Sequence, residues 1–387
     1  MKNVVIIDAK RTAVGKAHKG SLRDTRPDDF AAKLLENMFK NNDINKKDIK
    51  DLVVGCAMPE GEQGMNIART IGMLAKLPYQ VPAFTVNRFC SSGLQAVNNV
   101  AQAIEVDNID VGIAGGVESM SMVPMGGYTF NSNSNIVDNN IDFYTTMGLT
   151  GENVAELYEI SREAQDRFAL ESHKKALKSI KNNDFKDEIE PINVFTYDKH
   201  TKVPLEFSVD DGPRETSFEK LQKLKPCFKK NGSVTAGNSS QMSDGAAFLV
   251  LSSEKYALKN KLNILGYFRD FSVVGVPPHI MGIGPLEAIK QLLDKCNLNV
   301  SDIGVFEINE AFASQAVYCI KTLNIDPSIV NIHGGAIAQG HPLGCTGARQ
   351  SVTILHEMKR RNARFGIVSM CIGGGMGAAA LFENVQK

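Results

Sequence analysis

The sequence predicts an α/β protein built from two similar halves, with a long insertion in the first half. Helix and strand patterns alternate from "NVVIIDAKRT" to about Gly116, and the strands are apolar enough to be largely buried. From Glu118 to about Asp244 the chain becomes polar and rich in loops, and then "AAFLVLSS" restores the strand pattern. The end of the chain also resembles its beginning, which is typical of a duplicated unit.

Two pairs of segments carry this internal similarity. "DVGIAGGVESM", where a strand meets glycines, has a counterpart in "FGIVSMCIGGGMG", and the strand–turn–helix around Cys90 has one in "NIHGGAIAQGHPLGCTGARQSVTIL". A coincidence of glycine-rich turns is the alternative explanation. Inside the insertion, "NSNSNIVDNNID" is typical of a solvated loop and "SREAQDRFALESHKKALKSI" of a polar helix.

Composition limits the classes of function. The 387 residues include 43 Lys+Arg and 43 Asp+Glu, a balance that favours neither a nucleic-acid nor a membrane surface, although a local basic patch could bind an anion. Seven cysteines without a C-x-x-C pair indicate reduced thiols rather than disulfides or zinc. The first apolar run is too short for a signal peptide, no stretch reaches transmembrane length, and "NVQK" is not a peroxisomal address. We therefore expect a cytoplasmic protein.

Cys90, in "VNRFCSSGLQAV", is the first candidate functional residue. It lies between "AFTV", which predicts a short buried strand, and a helix whose apolar positions are Leu94, Val97, Ala101 and Ile104. The N–H groups at a helix start favour an anion, so a thiol there is a candidate nucleophile with a lowered pKa. The alternative is a small buried side chain, the usual role of a free cysteine.

Three further stretches contain candidate catalytic groups. His341 lies in the glycine-rich turn of "GGAIAQGHPLGCTGAR", where an acid/base with a pKa near ~6.5 competes with a structural histidine. Cys371 ends a strand in "SMCIGGGMGAAALF", and the glycines after it can point N–H groups at an oxyanion but lack the spacing of a nucleotide-phosphate loop. Asn309 and Glu310 follow an apolar strand in "FEINEAFASQAV", where ordinary helix capping is the alternative.

Together these stretches resemble the thiolases, and within them the degradative 3-ketoacyl-CoA thiolases most closely. The resemblance spans the chain and is also carried by "TAGNSSQMSDGAA" and "GVPPHIMGIGP". It implies a five-layered αβαβα fold of two βαβαβαββ halves. The core halves would be 1–117 plus 246–265 and 266–387, with 118–245 as an inserted loop domain that covers coenzyme A.

The resemblance also implies a reaction and roles. Coenzyme A, as co-substrate, would cleave a 3-ketoacyl-CoA to acetyl-CoA and a shortened acyl-CoA in fatty acid β-oxidation, without a metal or redox cofactor. Cys90 would carry the acyl group, His341 would accept its proton, and Cys371 would be the second acid/base. Asn309, through a bound water, and His341 would line one oxyanion hole, and the N–H groups of Cys90 and Gly373 would form the other.

Binding residues follow from the same match. Met147, Ala236 and Ser240 match coenzyme A pocket positions, and Arg214 matches them after a loop that is one residue shorter. Acetoacetyl-CoA thiolases carry His-Met where this chain has Thr146 before Met147, so Thr146, "CSSGLQA" and "GVPP" favour longer acyl chains. An acetoacetyl-CoA thiolase that makes acetoacetyl-CoA is the alternative. The resemblance further implies a homodimer or homotetramer, and a β-oxidation partner subunit stays open.

Other classes of protein fit the residues less well. An inactive thiolase-like lipid-binding protein should have lost Cys90, His341 or Cys371, and all three are present. A decarboxylating ketoacyl synthase is expected to carry histidine or asparagine in place of Cys371. A cysteine hydrolase would use the first cysteine and the histidine but has no use for the second cysteine.

Overall fold

The computed structural model describes residues 2–385, which form twelve strands and twelve α-helices. The strands are β1 (Val4–Arg11), β2 (Gly15–Lys16), β3 (Leu52–Gly55), β4 (Ala83–Val86), β5 (Val111–Ser119), β6 (Ile192–Asp198), β7 (Thr201–Phe207), β8 (Ser243–Ser253), β9 (Gly266–Gly275), β10 (Ile303–Ile308), β11 (Phe365–Ile372) and β12 (Met376–Glu383). The helices are α1 (Pro27–Met38), α2 (Ile67–Leu74), α3 (Ser92–Glu105), α4 (Ser134–Asn139), α5 (Met147–Leu157), α6 (Arg162–Asn182), α7 (Phe218–Gln222), α8 (Glu254–Lys259), α9 (Gly284–Cys296), α10 (Ala313–Thr322), α11 (Ala336–Gln339) and α12 (Leu343–Arg361).

The main sheet repeats one strand pattern in its two halves. Its order is β10-β11-β12-β9-β1-β8-β5-β3-β4, with β2 paired to β8. In the N-terminal half, β3 is parallel to β4 and β5, and β8 is antiparallel to β5 and β1. In the C-terminal half, β10 is parallel to β11, and β12 is antiparallel to β11 and β9. The matching order confirms the predicted pair of similar halves.

Helices cover both outer faces of the sheet and fill the space between its halves. One hydrophobic cluster joins α1 and α2 to the N-terminal strands, and another joins α9 and α10 to the C-terminal strands. Between them lie α3 and α12, with the apolar stripe of α3 fully buried. These two helices approach closely, because a Cβ atom on Gly93 would lie 2.8 Å from the carbonyl oxygen of Gly344. The five-layered αβαβα prediction is confirmed.

The chain between β5 and β8 forms α4 to α7 and a separate hairpin of β6 and β7. A buried ion-pair network attaches this part to β1: Arg11 Nε lies 2.7 Å from Glu188 Oε1, and Arg11 Nη1 lies 2.8 Å from Asp210 Oδ1. We expected the Asn/Ser-rich stretch to be a solvated loop, and this prediction is incomplete. The stretch contains the short exposed helix α4, whose first N–H groups are capped by the side chain of Asn133.

The prediction that "AFTV" is a buried strand is only half right. The residues form β4, but β4 is the last strand of the sheet, and the side chain of Phe84 is 40% exposed. A short apolar strand has the same composition at the edge of a sheet as in its centre, so the sequence could not distinguish the two. Within residues 2–385, no helix has both the length and the apolar character that a bilayer crossing requires.

Candidate active site

Cys90 lies in a short 3-10 turn, Phe89–Ser91, between β4 and α3. The turn packs against β11 and α12 and leaves Cys90 only 9% exposed. Burial raises the pKa of Cys90 to about 11, and the backbone N–H groups of Gly373 and of Cys90 itself oppose this rise as hydrogen-bond donors. The expected lowering of its pKa by a helix start is therefore wrong, because the loss of water around a thiolate outweighs the two amides.

His341 lies between α11 and α12, and its hydrogen bonds assign its tautomer. Its Nδ1 is 2.6 Å from Thr346 Oγ1, and the same oxygen is 3.1 Å from the carbonyl of Pro342. The hydroxyl donates its single proton to the carbonyl, so it accepts from Nδ1–H. This leaves Nε2 with a lone pair, which accepts from Asn309 Nδ2 at 3.3 Å. The histidine therefore presents an unprotonated nitrogen to the site.

The imidazole is neutral near pH 7. Burial, together with the charge of Arg349, lowers the pKa of His341 to about 3. The expected value near ~6.5 is that of a solvated histidine, and it is wrong here because a buried imidazolium loses its water. Asn309 is also buried, and its Oδ1 forms no hydrogen bond within residues 2–385. Asn309 thus keeps one acceptor available beside His341.

Cys371 is the last residue but one of β11, and Gly373 comes directly after that strand. Burial, and then the nearby Cys90, raises the pKa of the Cys371 thiol well above its usual range. Gly373 opens the turn to β12, in which Gly375 has φ +84° and would place a Cβ atom against the carbonyl of Val276. Because the backbone amide of Asn309 bonds to Ser369 of β11, the side chain beside His341 is also attached to this strand. The structure therefore places Cys371 and Gly373 beside Cys90, and Asn309, the partner of His341, is attached to the strand that carries Cys371.

Glu118, which the sequence reasoning missed, fastens the loops around this site. Its carboxylate is 1% exposed and accepts four hydrogen bonds from N–H groups: from Ala57 N and Gly344 N on Oε2, both at 2.8 Å, and from Gln63 Nε2 at 2.8 Å and Met58 N at 3.3 Å on Oε1. The thiol of Cys56 donates a longer one, at 3.7 Å, to Oε1. Burial raises the pKa of Glu118, but all these partners are donors, so the carboxylate is ionised. Its only sequence signal is an acidic residue at the end of the apolar strand "VGIAGGVES".

Glu310, the other polar residue after β10, has a structural position rather than a place in the site. Its buried carboxylate accepts from Ser172 Oγ at 2.7 Å, Asn331 Nδ2 at 2.9 Å and Ile337 N at 3.1 Å. It does not cap α10, whose N-cap residue is Phe312. The capping alternative is therefore wrong for Glu310.

Of the four predicted coenzyme A residues, Met147 lies at the glycine turn. Met147 begins α5 and packs on the cluster that contains the second site cysteine, and a Cβ atom on Gly373 would be 3.5 Å from its Sδ. Ala236 and Ser240 lie in the segment that leads to β8, where Ser240 N donates to Ala311 O at 2.9 Å. Met147 and Ser240 are thereby attached to the hydrophobic cluster that contains Cys371.

Arg214, the fourth predicted coenzyme A residue, lies beside α6. Its backbone N–H donates to His173 Nδ1 on α6 at 3.4 Å, and the side chain of Gln241 reaches the carbonyl of Gly212 at 3.3 Å. Within the described chain, the Arg214 guanidinium forms no ion pair, and burial lowers its pKa. Across residues 2–385, no three His, Cys, Asp or Glu side chains converge to hold a metal ion.

Family models match both halves of the chain. "Thiolase, N-terminal domain" matches residues 4–255 and "Thiolase, C-terminal domain" matches residues 262–384. The 3-ketoacyl-CoA thiolase of Bacillus subtilis (strain 168) is 51% identical over 99% of this chain and 100% of its own length. The human peroxisomal 3-ketoacyl-CoA thiolase is 48% identical over 98% of this chain and 91% of its own.

Solved structures agree with the family models. The dimeric peroxisomal thiolase of Saccharomyces cerevisiae has a TM-score of 0.90 and 41% identity, covering 99% of this chain and 98% of its own. The Bacillus anthracis acetyl-CoA acetyltransferase has a TM-score of 0.91 and 39% identity, covering 100% and 99%. The chain belongs to the thiolase family of acyltransferases.

Proposed function

We propose that this thiolase uses coenzyme A to cleave 3-ketoacyl-CoA into acetyl-CoA and a shortened acyl-CoA, as a step of fatty acid β-oxidation. The observation that carries the proposal is the pair of buried thiols, Cys90 and Cys371, in one site with a neutral His341. A hydrolase needs one thiol, whereas cleavage of a carbon–carbon bond needs a second acid/base. Relatives named 3-ketoacyl-CoA thiolase, at 48–51% identity, support the substrate class.

In the first half-reaction, the sulfur of Cys90 attacks the 3-keto carbon while its proton passes to Nε2 of His341. The new oxyanion is held by the N–H groups of Cys90 and Gly373, which already point at that sulfur. Collapse breaks the bond between C2 and C3 and expels the acetyl-CoA enolate. The enolate oxygen is held by the protonated His341 and by Asn309 through a water, and Cys371 protonates the enolate carbon.

In the second half-reaction, the Cys371 thiolate takes the proton from the thiol of coenzyme A. The resulting thiolate attacks the acyl group on Cys90, and the same two N–H groups hold the second oxyanion. Cys90 then leaves as a thiolate and recovers its proton from His341, so the site returns to its neutral state. The acyl-cysteine intermediate makes the kinetics ping-pong.

The rest of the chain has assigned places in this proposal. Residues 118–245 act as a loop domain over coenzyme A, and the uncompensated charge of Arg214 suits one of its phosphates. The exposed side of β4 supports a homodimer, the state named for the yeast structure. A homotetramer built from two such dimers would leave β4 paired in the same way. A cytoplasmic location is part of this proposal, because all seven cysteines are free thiols and reduced thiols are typical of the cytosol.

A series of 3-ketoacyl-CoA substrates from four to twelve carbons, assayed in the thiolysis direction, tests the proposal. We expect kcat/KM to be held or to rise from four to eight carbons, because Thr146 replaces the loop histidine. The similarity to a Bacillus anthracis acetyl-CoA acetyltransferase favours acetoacetyl-CoA as the second candidate substrate. A steep fall from four to eight carbons would establish that second candidate instead.

A further inference from the structure

We propose that the ring of Phe143 is the surface on which acyl chains longer than four carbons pack. We further assign the Asp142–His279 pair the task of holding that ring in position. Both steps rest on the proposed function, because they concern the acyl group that Cys90 would carry.

The path of the acyl chain follows from the amide that would hold its oxygen. With the acyl oxygen at the N–H group of Gly373, we expect the carbons beyond the carbonyl group to pass over Gly373 or Gly374. Side chains that lie there can be located from a Cβ atom placed on each glycine. Such an atom on Gly373 would be 3.5 Å from Met147 Sδ and 3.9 Å from Phe89, and one on Gly374 would be 3.4 Å from Phe143 Cε2. The approach to the thioester is therefore lined by apolar side chains, with Phe143 at its outer end.

Phe143 has an apolar surface that the protein itself does not cover. It lies in a 3-10 turn, Ile141–Tyr144, of the inserted segment, and its side chain is 39% exposed. Its ring meets the Tyr144 ring edge-on, with 5.1 Å between centroids, and it belongs to none of the hydrophobic clusters of the core. An exposed aromatic ring beside a buried reactive thiol is suited to cover an apolar ligand.

A side-chain pair attaches this turn to the segment that packs on the glycine loop. His279 Nδ1 lies 3.4 Å from Asp142 Oδ2, and both side chains are exposed. Pro278, next to His279, packs on the loop itself, because a Cβ atom on Gly375 would be 2.9 Å from its Cα. The pair therefore ties the residue before Phe143 to the loop that holds the acyl oxygen. An exposed pair of this kind is weak, so its loss should displace the ring without unfolding the protein.

The test compares kcat/KM for an eight-carbon and a four-carbon 3-ketoacyl-CoA in matched variants. Burial of one methylene group is worth about fourfold in binding, so loss of contact with two of them in Phe143→Ala should lower the eight-to-four ratio by about 15-fold. Phe143→Leu, which keeps an apolar side chain, should recover most of the ratio. Asp142→Asn and His279→Ala should each lower it by about threefold. Phe130→Ala is the matched control, because this exposed ring of the same segment packs on Tyr144 rather than on the glycine loop.

The outcomes separate this inference from the proposed function. A wild-type protein that cleaves the eight-carbon substrate, with an unchanged ratio in Phe143→Ala, overturns the inference alone. A ratio that rises in Phe143→Ala also overturns it, because the ring would then be a barrier. A wild-type protein that cleaves only the four-carbon substrate overturns the proposed function together with the inference.

Discussion

Replacing Glu118 with glutamine should destabilise the protein and impair its site at the same time. The change keeps the shape of the side chain and removes its charge. It also replaces one of two acceptor oxygens by an NH2 group. Oε2 accepts from two backbone amides, and Oε1 accepts from an amide, a side-chain NH2 group and, at 3.7 Å, the thiol of Cys56. Each oxygen therefore faces two N–H donors. In either orientation of the new amide, its NH2 group faces two N–H donors, and it has no lone pair with which to accept from them.

The cost can be worked out from these contacts. Two hydrogen bonds to a charged acceptor are lost, at about 1.5–3 kcal/mol each, so we expect a loss of about 4 kcal/mol in the free energy of unfolding. The entropy of unfolding is about 2.1 cal/mol/K per residue, or about 0.8 kcal/mol/K for this chain. Tm should therefore fall by about 5 °C. Gly344, in the first turn of α12, loses its anchor, so His341 just before it should be displaced and kcat should fall.

Thermal unfolding and thiolysis of acetoacetyl-CoA, measured on the same preparations, test this prediction. Glu156→Gln is the matched control: it makes the same change of charge in a side chain that is 70% exposed, and it should shift Tm by less than about 1 °C. If Glu118→Gln unfolds within about 1 °C of the wild type, the four contacts do not stabilise the protein by the expected amount. If Tm falls as expected and kcat is unchanged, the link to His341 is wrong.

Four further predictions concern the catalytic groups. Alkylation of Cys90 by iodoacetamide should accelerate about tenfold per pH unit from pH 7 to 9, because a pKa of about 11 makes the thiolate a minor form. A rate independent of pH would contradict the neutral state of the site. His341→Ala should slow the acetylation of Cys90 by acetyl-CoA, followed by intact mass, and a wild-type rate would remove His341 as the base. Thr346→Val should lower kcat about tenfold with little change in KM, since Nδ1 loses its partner, and Thr346→Ser should restore it. Cys371→Ala should still accept an acetyl group from acetyl-CoA on Cys90, seen as intact mass, while losing nearly all carbon–carbon cleavage; near-normal thiolysis would refute its acid/base role.

Much of the fold was readable from local sequence patterns. The strand and helix periods and the repeated glycine turns each depend on neighbouring residues, and the sheet order confirms the two similar halves that they predict. The edge position of β4 was not readable, because it depends on which strand lies beside it. The helix α4 was missed because its residues are polar, and a six-residue helix leaves almost no period to detect.

The residues of the candidate site were likewise only partly predictable from the sequence. Cys90, His341 and Cys371 were found because thiols and imidazoles in glycine-rich turns are rare. Glu118 and Thr346 act through contacts that no local pattern reveals; the closest partners of Glu118 lie at least 55 residues away in the sequence. The directions of the pKa shifts were also out of reach, since they are set by burial, and burial depends on the whole fold.

The neutral resting site is consistent with the proposed chemistry. In water, solvation would stabilise a resting thiolate of Cys90 as well as the transition state. Such interactions lower the free energy of the ground state together with that of the transition state, so they leave the barrier between the two almost unchanged. Burial instead keeps Cys90 as a thiol and His341 as an imidazole, with no charge on either group before substrate binds. The N–H groups of Cys90 and Gly373 are already in place, and a negative oxygen appears near them only when the sulfur attacks. Because only one backbone N–H acts on the thiol of Cys371, whereas two act on that of Cys90, the surroundings of the two sulfurs favour Cys90 as nucleophile and leave proton transfer to Cys371.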